Sequence, residues 1–164
     1  MSQVFARNRK EAETDYISLA VDIRIEVLRL IKKEDVIPRR HTFTFGQPMA
    51  ESARSLVLNV NRANRFYPSN SFNVMERKRY LGLALADCDQ IEQDMQCAVA
   101  LGFAPPSKFE SVIGMLGDEI EKLTRKRKYT KVIGRESTAS RLDAARKEVE
   151  RLEAIAADEP DGIQ

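Results

Sequence analysis

Few side chains in this 164-residue chain have types and spacings suited to catalysis. His41 is the only histidine, which excludes multi-histidine metal centres and carboxylate–histidine di-iron sites. Cys88 and Cys97 are too far apart in sequence for a Cys-x-x-Cys redox pair, and Cys88 falls among regularly spaced apolar residues that predict a place in the core. The sequence also lacks a glycine-rich phosphate-binding loop. We therefore expect a protein that is not an enzyme and that needs no metal or cofactor.

Two further sets of side chains could in principle bind a metal ion or act as a general base. A run of acidic residues has the ligand types that a metal ion prefers, but their spacing spreads them around a helix and favours a solvated face: Asp87, Asp89, Glu92 and Asp94. His41 as a general base would need an orienting partner, and the sequence supplies none. We expect His41 to do surface or capping work in a loop.

Composition narrows the class of protein further. Apolar residues make up 43% and charged residues 32%, which is typical of a globular domain and not of a disordered or fibrous chain. Two cysteines cannot support a disulfide scaffold, no stretch is apolar enough for a membrane span, and the first ten residues lack the apolar core of a secretory signal. We expect a soluble cytoplasmic protein with no membrane partner.

Apolar residues recur in alternating steps of three and four along four stretches, which is the spacing that keeps one face of a helix inward. The stretches run from Tyr16 to Leu30, from Met49 to Tyr67, from Leu81 to Ala98 and from Phe109 to Leu123. Residues typical of turns separate them, and the only period-two alternation is short. The sequence therefore predicts an all-α fold, an up-down-up-down antiparallel four-helix bundle.

Helix boundaries follow from local chemistry. Ile37-Pro38 is expected to close the first helix, because the residue before proline avoids the α conformation. The second helix begins either at a Thr44–Gln47 capping box or with Pro48 as its first residue, and Ser107 is the predicted N-cap of the fourth. The fourth helix is expected to bury Phe109, Ile113, Leu116, Ile120 and Leu123.

A fifth apolar repeat follows Gly134 in a strongly charged background: Leu142, Ala145, Val149, Leu152 and Ala156. A single helix of this length is marginal in water, so it either packs on the bundle, pairs with another copy or frays. We divide the chain into a four-helix bundle, residues 1–131, and an acidic C-terminal helical extension, residues 132–164, with a disordered end from Asp158.

The formal net charge of +2 conceals an asymmetry, because residues 35–131 carry +4 and residues 132–164 carry −3. In an antiparallel bundle, the end of helix two, the start of helix three and the end of helix four lie together. Ten of the fifteen basic residues of the middle segment fall there: Arg62, Arg65, Arg77, Lys78, Arg79, Arg125, Lys126, Arg127, Lys128 and Lys131. We expect the acidic extension to compete for this positive surface.

Aromatic residues accompany these cations, since Tyr67, Phe72 and Tyr129 belong to the same region. Basic side chains that contact phosphates and rings that stack on unpaired bases predict a nucleic-acid-binding surface with little sequence selectivity. The helix macrodipole alone explains cations in the last turn of helix four, but it disfavours those at the start of helix three. An acidic patch on a protein partner would fit the same surface.

Residues 37–47 form the most distinctive segment, with the pattern Pro-Arg-x-His-x-Phe-Thr-x-Gly between the first two helices. This segment resembles the accessory variability determinants of diversity-generating retroelements, four-helix-bundle proteins related to those encoded in intervening sequences of ribosomal RNA genes. The resemblance covers roughly residues 16–128. It implies a non-enzymatic homopentamer with a positive surface, which binds the reverse transcriptase, the template RNA and the cDNA and supports mutagenic retrohoming.

Within the motif, Arg39, Arg40 and His41 take the basic and histidine positions, where the resemblance implies a loop-shaping or interface role. Gln47-Pro48 departs from the acidic-then-basic pair expected after the motif glycine, and the extension after Gly134 has no clear counterpart in the family. The alternative function is a bundle adaptor that makes protein–protein contacts only, without nucleic-acid binding.

Overall fold

The computed structural model describes residues 2–134 and 138–158, with side chains described for residues 15–134 and 138–155. These described residues form five α-helices: α1 Ser2–Ile31, α2 Gln47–Arg65, α3 Ser71–Ala100, α4 Glu110–Tyr129 and α5 Thr138–Asp158. No strand occurs in these ranges, which confirms the all-α prediction. Within the same ranges every helix is too short or too polar to span a bilayer. The predicted disordered end, apart from Asp158, lies outside the described residues.

The first four helices pack around a common core. α1 contacts α2 and α4, and α3 contacts the same two helices from the other side, while α5 lies against α3. The α1–α2 and α3–α4 connections meet at one end of the molecule, where Lys108 Nζ lies 2.7 Å from Asp35 Oδ2. At the opposite end the N–H of Ile133 donates to the carbonyl of Pro68 at 2.8 Å. Among α1 to α4, helices next to each other in the chain are therefore neighbours in space.

Three of the predicted apolar stripes supply most of the core. Ile23 on α1 and Leu56 on α2 are fully buried, and every member of the stripe from Leu81 to Ala98 on α3 is buried, which includes Cys88. Tyr67 is the exception in the second stripe, because α2 ends at Arg65 and the helical register does not reach it. Burial of these regularly spaced residues is the main favourable term in folding.

The predicted register of α4 is wrong at two positions. Ile113 is exposed and Ile120 is only half-buried, whereas Val112 and Glu119 are buried in their place. The buried positions still alternate in steps of three and four, and both registers include Leu116. The prediction chose the register that puts two isoleucines, Ile113 and Ile120, in the core. In the structure the neighbouring helices pack against the face that carries Val112 and the carboxylate of Glu119.

The connection between α1 and α2 differs from the prediction. α1 ends at Ile31, well before Ile37-Pro38, and the chain then passes through a short 3-10 helix and a π-helical turn, Thr42–Gly46, straight into α2. The capping box at Thr44 is wrong, because the backbone is already helical there and no non-helical position remains for a cap. α2 begins at Gln47 with Pro48 in its first turn, close to the second alternative.

Ser107 is also not a helix cap. It lies inside a short 3-10 helix, Pro106–Lys108, and α4 begins at Glu110 with no capping hydrogen bond from a described side chain. α3 does have a side-chain cap, since Asn70 Oδ1 accepts the N–H of Asn73 at 2.8 Å. That hydrogen bond satisfies one of the donors left unpaired at a helix start.

α5 packs on α3, but through a different face from the predicted one. Ala144 is buried and Arg151 reaches Glu76 of α3, whereas three apolar residues of the heptad repeat are about half exposed: Leu142, Val149 and Leu152. Charged and small residues therefore attach the helix, and its apolar stripe faces away. Of the three alternatives for this segment, packing on the preceding helices is the one observed.

Candidate nucleic-acid interface

The three basic segments predicted to lie together do so in the structure. The ends of α2 and α4 and the first turns of α3 meet where Ile133 bonds to Pro68, and Arg77 Nη1 donates to the Phe66 carbonyl at 3.4 Å. We name this surface, residues 62–68, 77–80 and 125–133, the basic end. It holds all ten predicted cations.

The ten cations differ in how far they reach solvent. Arg77 is buried, and Lys78 and Lys126 are half-buried. The others are exposed: Arg62, Arg65, Arg79, Arg125, Arg127, Lys128 and Lys131. Most of the exposed charge therefore comes from the end of α4 and the residues after it, and less from the start of α3.

Aromatic rings hold several of these cations in place. The Arg79 guanidinium lies 4.3 Å from the Tyr80 ring centroid, and that of Arg62 lies 5.7 Å from the same ring. Lys126 Nζ is 5.5 Å from the ring centroid of Tyr16 on α1. Such contacts are stabilised by attraction between the cation and the ring face, and they keep the positive charges close together on the surface.

Arg79 is less available than its exposure suggests. Its Nη2 lies 2.8 Å from the Oε2 of Glu76, and this hydrogen bond raises the pKa of the guanidinium. Glu76 is a buried carboxylate that also accepts from Arg151 of α5, with Nη1–Oε1 2.7 Å. Two arginines thus compensate one buried acid, so Arg79 adds little to the surplus positive charge.

A cleft of about 700 Å³ opens at the basic end. Tyr67 and Tyr129 line its exposed part, with 62% and 66% of their surface accessible, and Lys126 and Lys131 line it as well. Arg77, only 8% exposed, lines it at greater depth. The cleft thus combines two accessible aromatic rings with three cations.

The Arg77 guanidinium makes few hydrogen bonds within the described part of the protein. Its Nε has no hydrogen-bond partner, its Nη1 makes one long bond to the Phe66 carbonyl, and no described carboxylate forms an ion pair with it. A guanidinium carries five N–H donors, and leaving them unsatisfied away from water is costly. Arg77 is therefore suited to a ligand that brings acceptor oxygens and negative charge into the cleft.

A smaller cleft of about 330 Å³ adjoins the first. Lys126 and Tyr129 line both clefts, and Arg125 lines the second. Asp15 also borders it, but Lys122 Nζ compensates this acid at 2.7 Å. The positive surface therefore continues from the first cleft around the end of α4 towards α1.

The motif residues lie at the opposite end of the molecule. Arg39 Nε pairs with Glu34 Oε1 at 2.7 Å, and Arg40 Nε donates to His41 Nε2 at 3.1 Å. The His41 ring stacks on Phe103 with centroids 4.6 Å apart, which links the α1–α2 connection to the α3–α4 connection. The structure therefore separates Arg39, Arg40 and His41 from the ten cations of the basic end.

Gly46, the last residue of the motif pattern, lies where the chain packs closely against α1. A Cβ atom at this position would lie 3.0 Å from Ile31 Cγ2, so glycine allows the π-helical turn to approach α1 closely. Phe45 packs edge-on against Phe103 at 5.5 Å between centroids, whereas Phe43 is 83% exposed. The motif residues thus set the conformation of the α1–α2 connection and leave the Phe43 ring on the surface.

Outside the basic end and its partner Glu76, sequence reasoning missed the burial of Glu119 and Asn59. Glu119 is fully buried, neither carboxylate oxygen has a partner among the described side chains, and burial raises its pKa to about 8. Asn59 Nδ2 donates to Asp87 Oδ2 at 2.8 Å, so Asp87 is not simply part of a solvated face. Burial of this carboxylate raises its pKa, which the Asn59 hydrogen bond partly offsets. The spacing of apolar residues does not indicate that Glu119 or Asn59 is buried.

The side chains that could bind a metal ion do not form a cluster in the described part of the chain. In the described part of the chain, no three side chains of histidine, cysteine, aspartate or glutamate are placed to share an ion. Cys88 is buried, and burial raises the pKa of its thiol further above neutrality, which leaves it unreactive. Cys97 is exposed and is not in a disulfide.

Comparison with known proteins adds no relative. No protein-family model matches the chain, and no curated protein and no solved structure matches it significantly. The geometry of the basic end and the motif of residues 37–47 are therefore the features that bear on function.

Proposed function

We propose that the chain is a non-enzymatic accessory protein of a diversity-generating retroelement, which binds the reverse transcriptase, the template RNA and the cDNA during mutagenic retrohoming. The observation that carries nucleic-acid binding is the cleft at the basic end, which Arg77, whose Nε has no partner among the described residues, lines together with exposed Tyr67 and Tyr129. The resemblance of residues 37–47 supplies the retroelement and its reverse transcriptase as partners.

The proposed architecture is an up-down-up-down antiparallel four-helix bundle, residues 1–131, followed by the extension 132–164. Two observations support it: α1 and α3 each pack on both α2 and α4, and successive connections meet at alternate ends. A cytoplasmic location fits the two cysteines, which form no disulfide, because thiols stay reduced in that compartment.

The protein acts as a homo-oligomer in this proposal, and the number five comes from the resemblance. A stripe on α1 supports an interface, since Val21, Ile25 and Leu28 are exposed although they follow the three-and-four spacing of a buried helix face. The exposed apolar face of α5 is a second surface of the same kind. Contiguous exposed apolar residues are typical of surfaces that are covered in an assembly.

Binding of a structured RNA across a range of salt concentrations tests the proposal. We expect the logarithm of the binding constant to fall linearly with the logarithm of salt concentration, because cations displace counterions from phosphates. Absence of binding at low salt would overturn the nucleic-acid role. Capture of the reverse transcriptase in that case would favour the adaptor that makes protein contacts only.

A matched pair of variants connects the result to the basic end. Simultaneous alanine substitution of Arg125, Lys128 and Lys131, all exposed, is expected to weaken binding without unfolding the chain. Simultaneous alanine substitution of Lys32, Lys33 and Arg54, three exposed cations outside the basic end, removes the same charge and serves as the control. Equal losses for the two proteins would place RNA elsewhere.

A further inference from the structure

We propose that the cleft beside Arg77 holds one unpaired nucleotide of a single-stranded nucleic acid, with its phosphate at Arg77 and its base against Tyr67 or Tyr129. The inference rests on the proposed function and names the ligand form that this surface selects. The volume of about 700 Å³ lies within the range of about 300–1,000 Å³ typical of sites for small molecules. The cleft is thus large enough for a nucleotide but not for a double helix.

The phosphate position follows from the charge on Arg77. This guanidinium is nine-tenths buried, and its Nε has no partner among the described residues. The neighbouring acid, Glu76, is already compensated by Arg79 and Arg151, so it does not neutralise Arg77. Phosphate oxygens match the planar donor set of arginine and would bind its Nη groups, whose hydrogen bond among the described residues is the long one to the Phe66 carbonyl.

The base position follows from the two tyrosines. Tyr67 lies two residues after the end of α2 and Tyr129 is the last residue of α4, and both rings line the cleft with more than half of their surface accessible. Every base has a π-face that can stack on such a ring, which makes the contact tolerant of sequence. Paired bases inside a duplex cannot reach these rings, so the site selects an unpaired strand.

The adjoining cleft of about 330 Å³ defines the path of the strand across the surface. Lys126 and Tyr129 border both clefts, so the chain of phosphates passes from Arg77 over the end of α4 to Arg125. Consecutive phosphates of an extended strand then meet consecutive cations. An exposed strand of template RNA or newly made cDNA has the required form.

Fluorescence anisotropy with two labelled RNAs of equal length, one unstructured and one a perfect hairpin duplex, tests the inference. We expect the wild-type protein to bind the unstructured RNA about tenfold more tightly at the same salt concentration. Alanine substitution of the tyrosine that carries the base, Tyr67 or Tyr129, and of both tyrosines together should weaken binding of the unstructured RNA about fivefold or more and leave duplex binding unchanged. The corresponding phenylalanine variants should bind normally, because stacking needs only the ring.

Arg77→Gln is expected to weaken single-strand binding as well, by removing the charge on which the phosphate rests. Circular dichroism checks its fold, since Arg77 is buried; the exposed tyrosines decide the outcome if this variant unfolds. Phe43→Ala removes an 83% exposed ring from the opposite end of the molecule and is the matched aromatic control. It should bind both RNAs like the wild type.

The outcomes separate this inference from the proposed function. Equal affinity for the two RNAs, or tyrosine-to-alanine variants that bind like Phe43→Ala, would overturn the nucleotide site while RNA binding itself stands. Absence of binding to either RNA at low salt would overturn both. Displacement of the unstructured RNA by a polyglutamate peptide of equal charge, as efficiently as by unlabelled RNA, would also overturn the nucleotide site.

Discussion

Arg151 on α5 donates to the buried carboxylate of Glu76 on α3, with Nη1 and Oε1 2.7 Å apart. A neighbouring contact places Lys147 Nζ 5.4 Å from the centroid of the Phe72 ring. The acidic extension is therefore attached through two of its basic residues, while Glu150 and Glu153 remain exposed. It also covers Phe72, one of the three rings expected to contact bases.

Truncation of the chain after Gly134 is expected to tighten RNA binding by about two- to tenfold at low salt. The extension from residue 132 carries a net charge of −3, which opposes the approach of phosphates, and its removal uncovers Phe72. The gain should shrink as salt is added, because screening weakens interactions between exposed charges. Titrations of both proteins at two salt concentrations measure it.

Arg151→Ala is a milder form of the same experiment, because it removes the ion pair to Glu76 and keeps the acidic residues. Arg141→Ala, an exposed residue of α5, is the charge-matched control. Tighter binding should follow truncation. Arg151→Ala should also tighten binding, because release of α5 uncovers Phe72, but more weakly, because this variant keeps the acidic residues and loses a cation. Equal or weaker RNA binding by the truncated chain would show that the extension does not compete for the basic end.

Single alanine substitutions of Arg125, Lys128 and Lys131 are each expected to lower the magnitude of the salt slope of RNA binding by about one. Each of these side chains is exposed, so a contact with phosphate releases roughly one counterion. Reversing the charges of Arg77 and Arg79 is a poorer test, because Arg77 is buried and Arg79 compensates Glu76.

Lys33→Ala provides the control for the salt slopes. Lys33 is exposed at the end of the molecule that carries the motif, and its removal changes the net charge by the same amount. An unchanged slope for Lys33→Ala beside reduced slopes for the other three is the expected pattern. Four identical slopes would mean that RNA responds to net charge and not to the basic end.

Glu119 is expected to make the folded chain less stable as pH rises. Its folded-state pKa of about 8, raised by burial, exceeds the ordinary value of 4.5, so above pH 4.5 the unfolded chain loses a proton that the folded chain keeps. Lys122 opposes this shift and Asp15 adds to it. The free energy of unfolding should fall between about pH 4.5 and 8, by roughly 3 kcal/mol up to pH 7, and then level off.

Urea unfolding of Glu119→Gln across this pH range checks the prediction. The variant removes the titrating group, so its pH profile should be flatter than that of the wild type and its stability at neutral pH higher. Glu121→Gln changes an exposed carboxylate on the same helix and should keep the wild-type profile. Identical pH profiles for Glu119→Gln and the wild type would contradict a protonated Glu119.

Ile25→Lys is expected to lower the oligomeric mass of the protein without unfolding it. Ile25 lies in the exposed apolar stripe of α1 between Val21 and Leu28, so a charge there disrupts an interface but not the core. Size-exclusion chromatography with light scattering measures the mass. Gln93→Lys, at an exposed polar position of α3, is the control, and a monomeric wild-type protein would contradict the proposed pentamer.

Much of the helical structure is predictable from local residues. The spacing from Leu81 to Ala98 places every member of that stripe on the buried side of α3, because a helix of 3.6 residues per turn presents those positions on one face. Helix ends are less predictable. Thr44 and Ser107 have the composition of caps, but π-helical and 3-10 turns replace the expected helix starts.

The sequence by itself determined the all-α class, since periodicity is a local property, and it predicted which cations meet at the basic end once helices with short connections were taken to run antiparallel. Only the tertiary structure decided which of those cations a ligand can reach. Glu76 compensates Arg79, packing buries Arg77 without an acid, and α4 turns Glu119 inward instead of Ile120. The physical reason is that burial and pairing depend on neighbours contributed by distant segments, which no spacing within one helix records.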